Sequence, residues 1–228
     1  MVIFVIELLD KLEIPYKNPK LYERALTHTS FANENDVESY ERLEYLGDAV
    51  LELVVSEYLY KNTEYEEGKM TKYRSHYVCE NANYEYSIRL GLNDYLRLGR
   101  GEEENGGKYR KAIVADIFES FLGAMYLDLG YEYARKFIYK SVIPLIEDKT
   151  VDFFDDYKSI LQELVQTDKK SLSYRVVDEQ GPAHDKTFTV EVVINNIVYG
   201  RGVAHTKKGA EQIAAHDALL KAQNGEEN

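Results

Sequence analysis

Apolar residues recur at helical spacing along the first two-thirds of the chain and at strand spacing along the last third. Val5, Leu8, Leu9 and Leu12 form a stripe at i, i+3, i+4 and i+7 that ends at Pro15. Further helices are predicted over 20–27, 38–61, 69–90, 109–128 and 131–146, with Pro144 bending or closing the last. Glycines around Gly68 and from Gly99 to Gly107 predict loops. From Asp148 to Asp156 the chain turns acidic and aperiodic, as a short linker does. Beyond it, Asp156 to Gln166 reads as a helix, and Leu172, Tyr174 and Val176 alternate as in a strand. Phe188, Val190, Val192 and Ile194 alternate again, Asn195-Asn196 offers a tight turn, and Ile197 to Ala204 gives a third strand. A last helix begins at Thr206, a residue suited to the N-cap, and runs to about Lys221. The fold class is therefore an all-α domain over 1–148, a linker over 149–154, and a small α+β domain of order α-β-β-β-α over 155–224.

Composition narrows the setting. A chain of 228 residues suits one large domain or two modest ones. The apolar start Val2 to Ile6 is interrupted by Glu7 and Asp10, too short for a membrane span or an export signal. Cys79 stands alone, so no internal disulfide forms, and a cytoplasmic location with no membrane partner is expected. The net charge of −12 argues at face value against nucleic-acid binding. It is unevenly spread, at −9 over residues 1–154 and −1 over 155–224. A carboxylate-built site would contribute to the first, and the second leaves room for a basic patch.

Chemistry concentrates in Tyr40-Glu41-Arg42-Leu43-Glu44-Tyr45-Leu46-Gly47-Asp48-Ala49-Val50-Leu51. On a helix, Glu41, Glu44 and Asp48 fall at i, i+3 and i+7, so three carboxylates share a face. Such a face is either simply solvated or gathered around a divalent cation, for which hard oxygen ligands suit Mg²⁺ or Mn²⁺. Asp116 and Glu119 form a second pair one turn apart, directed away from Ile113, Ile117 and Phe121. No serine or cysteine nucleophile is set up, and His28 reads as a structural histidine rather than a base.

These strings resemble a known family. The first is similar to the ribonuclease III signature Glu-Arg/Thr-Leu-Glu-Phe-Leu-Gly-Asp-Ala, with Tyr45 at the aromatic position. Asp116-Ile117-Phe118-Glu119-Ser120 resembles its Asp-x-Phe-Glu-Ala segment, and Leu98-Gly99-Arg100-Gly101-Glu102 its Leu-Gly-x-Gly-Glu loop. Glu67-Gly68-Lys69-Met70-Thr71 and Ala25-Leu26-Thr27-His28-Thr29-Ser30 also match in order, so the resemblance covers residues 10–146. It implies an endonuclease that cuts double-stranded RNA to 5′-phosphate and 3′-hydroxyl ends with staggered cuts, in the processing of ribosomal-RNA precursors and other transcripts. It implies Mg²⁺, with Mn²⁺ able to substitute, held by Glu44, Asp116 and Glu119, and no organic cofactor. Asp48 and Glu119 would stand nearest the chemistry, with Glu41 and Glu67 as supporting acids. A homodimer is implied too, Tyr45 packing on the partner subunit unless its ring instead fills its own core.

The last third resembles a double-stranded-RNA-binding domain. Its segments are Asp156 to Glu163, Gly181 to Phe188, and Lys207-Lys208-Gly209-Ala210-Glu211-Gln212-Ile213-Ala214-Ala215. The A-form minor groove is wide, shallow and lined with 2′-hydroxyls, so Gln162, Glu163, Gln166 and His184 suit hydrogen bonding there. Lys158, Lys186, Lys207 and Lys208 would face phosphates, the last two at a helix N-terminus whose dipole favours anions. A double-stranded-RNA-binding regulator with an inactive nuclease domain, or a helical phosphohydrolase acting on small nucleotides, remains an alternative. The retained carboxylates count against the first, and the appended module against the second.

Overall fold

The computed structural model describes residues 2–148, 157–167, 171–182 and 186–224. They fall into two compact units, 1–153 and 154–228. The predicted linker and His184 lie outside the described residues, as does the side chain of Glu163.

The first unit contains α1 (Val2–Lys11), α2 (Pro19–Ala25), α3 (Thr29–Asn35), α4 (Glu41–Asn62) and α5 (Glu67–Tyr77). It continues with α6 (Glu80–Leu90), α7 (Arg100–Glu104), α8 (Lys111–Leu129), α9 (Tyr131–Ser141) and α10 (Ile143–Glu147). Among its described residues the β-type pairing is a single parallel bridge, Thr27 to Arg97. Helix α8 carries Ile113, Val114, Ile117, Phe118, Phe121, Leu122 and Met125, all buried, and is apolar around most of its circumference. A helix of that kind belongs inside, and α2, α4, α6 and α9 pack around it.

Four local expectations need correction. The helix expected over 69–90 is two, because the chain turns at Val78 and Cys79. His76 and Tyr77 face inward there, and the Tyr86 hydroxyl donates to the Tyr77 carbonyl at 3.0 Å, which ties the corner. Gly68 is no loop residue; it lies in the first turn of α5. The expected loop from Gly99 to Gly107 contains the one-turn helix α7. The helix expected over 131–146 divides at the buried Val142, and Pro144 falls at the start of α10, where its missing N–H matters least.

The second unit contains α11 (Tyr157–Thr167), β1 (Leu172–Gln180), β2 (Thr187–Ile194), β3 (Ile197–Ala204) and α12 (Lys207–Asn224). The sheet is antiparallel in the order β1-β2-β3. Asn195 and Asn196 both take positive φ, as a two-residue hairpin turn whose twist matches its strands requires. Helix α12 lies hard against β3: a Cβ on Gly200 would sit 2.2 Å from the Ala214 carbonyl oxygen, and one on Gly202 equally close to that of Ala210. Small residues on both surfaces permit this approach. Thr206 caps α12 as expected, its hydroxyl accepting from Gly209 N at 3.0 Å. In β1 the expected alternation fails after Tyr174, because the register shifts between Val176 and Asp178 and leaves Val176 exposed.

Candidate active site

The site is built where α4 crosses α8. A Cβ on Gly47 would stand 1.7 Å from the Glu119 carbonyl oxygen, and one on Gly123 2.1 Å from that of Leu43. The two backbones therefore touch, and no side chain fits between them. Leu43, Val50, Leu51 and Val54 turn α4 into the core, leaving Glu44 and Asp48 beside the crossing. Asp116 and Glu119 on α8 stand at the same crossing, so the two predicted carboxylate groups come together.

Their electrostatics show how closely they interact. Burial pushes the Glu119 carboxyl up to about 8, and Asp48, Glu44 and Asp116 add to the rise in that order. Glu44 is pushed up to about 7 by burial, then by Asp116, Glu41 and Asp48. Asp48 is raised by burial and by Glu52. Asp116 is raised mainly by burial, against the opposing effect of the Tyr40 hydroxyl, which donates to its Oδ2 at 2.9 Å. The Asn83 amide donates to Glu119 Oε1 at 2.6 Å and likewise favours the ionised form. The influences on Glu44 and Asp48 are burial and other carboxylates, with no cation among them.

That excess negative charge is what a divalent cation would relieve, and an all-oxygen donor set is what a hard cation prefers. Among the described residues no three ligand-type side chains are already gathered into a cage. The fit lies in donor chemistry and shared charge, and on those grounds Glu44, Asp116 and Glu119 suit Mg²⁺ or Mn²⁺.

A consequence follows for stability. A carboxyl whose folded pKa is raised stabilises the fold fully below its unfolded value and loses that contribution as pH rises through the folded value. For Glu44 and Glu119 that window runs from about 4.5 to about 8. In EDTA, Glu119→Gln should therefore melt increasingly above the parent as pH rises from 5 to 8.5, and Mg²⁺ should close the gap by stabilising the parent. A melting difference independent of pH would contradict the mutual repulsion described above.

The supporting acids divide. Glu41 opens α4, exposed and bonded to the Ser39 hydroxyl at 3.0 Å, and its charge acts on Glu44. Glu67 opens α5, also exposed, and accepts from Thr71 at 3.2 Å. It is not among the principal charges acting on the four carboxylates. His28 takes the structural role: its Nδ1 caps α3 by accepting from Ser30 N at 3.2 Å. Tyr45 does not fill its own core, being 83% exposed.

Tyr40, Asn83 and the Gly47/Gly123 contact were missed from sequence. Asn83 carried one signal: it lies with Ala82, Tyr86 and Ser87 on the buried face of α6, where a polar residue needs a reason.

In the second unit Gln162, Gln166 and Lys208 are exposed, as an RNA contact requires. Lys186 and Lys207 converge on Glu179, at 3.2 and 3.0 Å. Lys158 pairs with Glu211 and lies over the Tyr174 ring, joining α11 to α12 and β1 rather than projecting freely.

A helical unit with four carboxylates at one helix crossing, followed by an α-β-β-β-α unit, defines a two-module protein with an acidic centre in its first module. Comparison with known proteins makes that specific. Residues 18–146 match the family model described as Ribonuclease-III-like, and 157–221 the double-stranded RNA binding motif. Ribonuclease 3 of Halalkalibacterium halodurans is 45% identical over 219 residues, covering 94% of this chain and 83% of that protein. Ribonuclease 3 of Listeria innocua is 44% identical over 218 residues, covering 93% and 95% respectively. Among solved structures, the nuclease domain of ribonuclease III from Campylobacter jejuni aligns with a TM-score of 0.57 and 37% identity, over 60% of this chain and 94% of that one. The chain belongs to the ribonuclease III family, and it is an endoribonuclease acting on double-stranded RNA.

Proposed function

We propose that the carboxylates of α4 and α8 are the hydrolytic centre and that the chain cuts both strands of an RNA duplex as a Mg²⁺-dependent homodimer. The observation that carries this is the meeting of Glu44, Asp48, Asp116 and Glu119 at one helix crossing, where burial raises all four carboxyls and the other members of the group raise Glu44 and Glu119 further. Glu44, Asp116 and Glu119 would hold the cation, with Mn²⁺ able to replace Mg²⁺. Bound there, it supplies a Lewis acid for the scissile phosphate and the attacking water. Asp48 and Glu119 stand nearest the reacting atoms; Glu41 and Glu67 order substrate or solvent at the rim. The products carry 5′-phosphate and 3′-hydroxyl ends, and ribosomal-RNA precursors in the cytoplasm are the expected substrates. Residues 1–148 form the nuclease domain and 155–224 the RNA grip, through Gln162, Glu163, Gln166, His184, Lys186, Lys207 and Lys208. Lys158 acts there by joining α11 to α12. The test is cleavage of an end-labelled duplex with and without Mg²⁺, the ends typed by phosphatase and ligase. A cut that persists in EDTA, or 3′-phosphate ends, would defeat the reading.

The dimer rests on a separate observation. Tyr45, Leu53 and Tyr60 are 83%, 56% and 75% exposed, and with Ala49 they fall on one face of α4. An apolar stripe of this kind marks a surface that another surface covers. Two-fold pairing would also set two centres across antiparallel strands. Tyr45→Ala should weaken dimerisation, and Tyr45→Phe should leave it nearly unchanged. Sedimentation showing a monomer that still makes staggered cuts would refute the pairing.

A further inference from the structure

Asn83 is one of two polar residues on the buried face of α6, and the one that is bonded to the carboxylate site. It is 2% exposed, with Ala82 and Tyr86 on the buried face of α6, the helix that packs on α8. Its amide Nδ2 gives one hydrogen bond at 2.6 Å to Glu119 Oε1 and a longer one at 3.4 Å to the Val78 carbonyl. Its Oδ1 accepts nothing from the described residues, and neither does the hydroxyl of Ser87, fully buried one turn further along. Leaving a buried acceptor without a partner costs about 1–3 kcal/mol. An apolar side chain here would avoid that cost, so the compensation lies in what Nδ2 does.

We propose that Asn83 is a positioning residue: by holding Glu119 Oε1, it turns Oε2 toward Glu44, Asp48 and Asp116 and so presets Glu119 as a ligand for the divalent cation. A neutral donor suits this task better than a lysine or arginine. It fixes the rotamer of the carboxylate without supplying a positive charge that would compete with the metal. Tyr40 stands in the same relation to Asp116, donating to Oδ2 and leaving Oδ1 open. Asp116 and Glu119 are thus both oriented by uncharged groups from neighbouring segments. Partners of ligating groups of this kind typically change metal affinity 10- to 100-fold when removed.

The inference rests on the reading of Glu119 as a metal ligand, and the test separates the two. Calorimetric titration of the full-length, RNA-free protein with MgCl₂ is made for the parent, Asn83→Leu, Asn83→Ala, Ser87→Ala and Glu119→Gln. Either Asn83 variant should bind Mg²⁺ about 10-fold more weakly or worse. Metal-free melting of Asn83→Leu should stay close to the parent, because removing the orphaned Oδ1 offsets the lost hydrogen bond to Glu119. Ser87→Ala, equally buried but without a bond to Glu119, should bind Mg²⁺ as the parent does. In the parent, the side-chain amide NMR signals of Asn83 should shift over the same Mg²⁺ range that saturates the calorimetric signal, a readout independent of whether any variant folds. Parent-like Mg²⁺ affinity in an Asn83 variant, or Asn83 signals that ignore Mg²⁺, would overturn the positioning role. If Glu119→Gln also bound Mg²⁺ normally, the assignment of Glu119 itself would fall.

Discussion

Glu119→Gln will bind duplex RNA within a few-fold of the parent and cut it at least about a thousand times more slowly. The carboxamide keeps the shape of the side chain and an oxygen that can still accept from Asn83, so the fold is undisturbed. What it removes is the charge on which Asp48, Glu44 and Asp116 all act. Taking one anionic ligand from a metal-assisted hydrolysis removes several kcal/mol of transition-state stabilisation, and a thousandfold corresponds to about 4 kcal/mol. Affinity for the duplex comes chiefly from phosphate and 2′-hydroxyl contacts elsewhere, so it survives. Glu41→Gln makes the contrast, since Glu41 is exposed and acts on the cluster only from its edge; it should cost about tenfold or less. Single-turnover cleavage and filter binding on one labelled duplex measure both quantities. Cleavage by Glu119→Gln within tenfold of the parent at millimolar Mg²⁺ would remove Glu119 from the centre.

The helices and strands were legible because their periodicity is strong, and the four principal carboxylates because the spacing within each motif places them on one helix face. Distance between motifs was not legible from spacing: Asp48 and Glu119 lie 71 positions apart in the chain, and their meeting depends on the α4–α8 crossing. The misplaced boundaries share a cause. Gly68 was read as a loop because glycine weakens helices, yet in a first turn little is lost, and nothing lies within 4 Å of where its Cβ would be. The break at Val78 and Cys79 has no glycine or proline to announce it; inward packing of His76, Tyr77 and Tyr86 makes it, and packing is invisible to local pattern. The same holds for the ion pair of Lys158 with Glu211, which joins residues 53 positions apart and has no local signal. Gly47 was read only as a letter of a motif, although its place is dictated by a steric contact.

That contact makes Gly47→Ala the most damaging of the small substitutions. A methyl group there would stand 1.7 Å from the Glu119 carbonyl oxygen and 2.9 Å from Gly123 N, both backbone atoms that cannot swing aside. Helices α4 and α8 must separate, and with them the most extensive helix–helix contact of the first unit, in a core that includes Leu43, Val50, Ile117 and Phe121. Overpacking that displaces backbone costs about 3 kcal/mol or more, equivalent to about 6–12 °C in the melting of a domain of this size. Gly68→Ala supplies the control. It exchanges glycine for alanine in a helix with open space around the new methyl, and it should raise stability by up to about 1 kcal/mol. The effect on chemistry is separable from the effect on folding, because the displaced carbonyl belongs to Glu119. Below its melting point, the fraction of Gly47→Ala that remains folded should bind Mg²⁺ more weakly than the parent, as the two halves of the carboxylate cluster move apart. Differential scanning calorimetry followed by Mg²⁺ titration at 10 °C measures each part in turn. Melting within about 2 °C of the parent, with Mg²⁺ affinity intact, would mean that α4 and α8 do not meet backbone to backbone at Gly47.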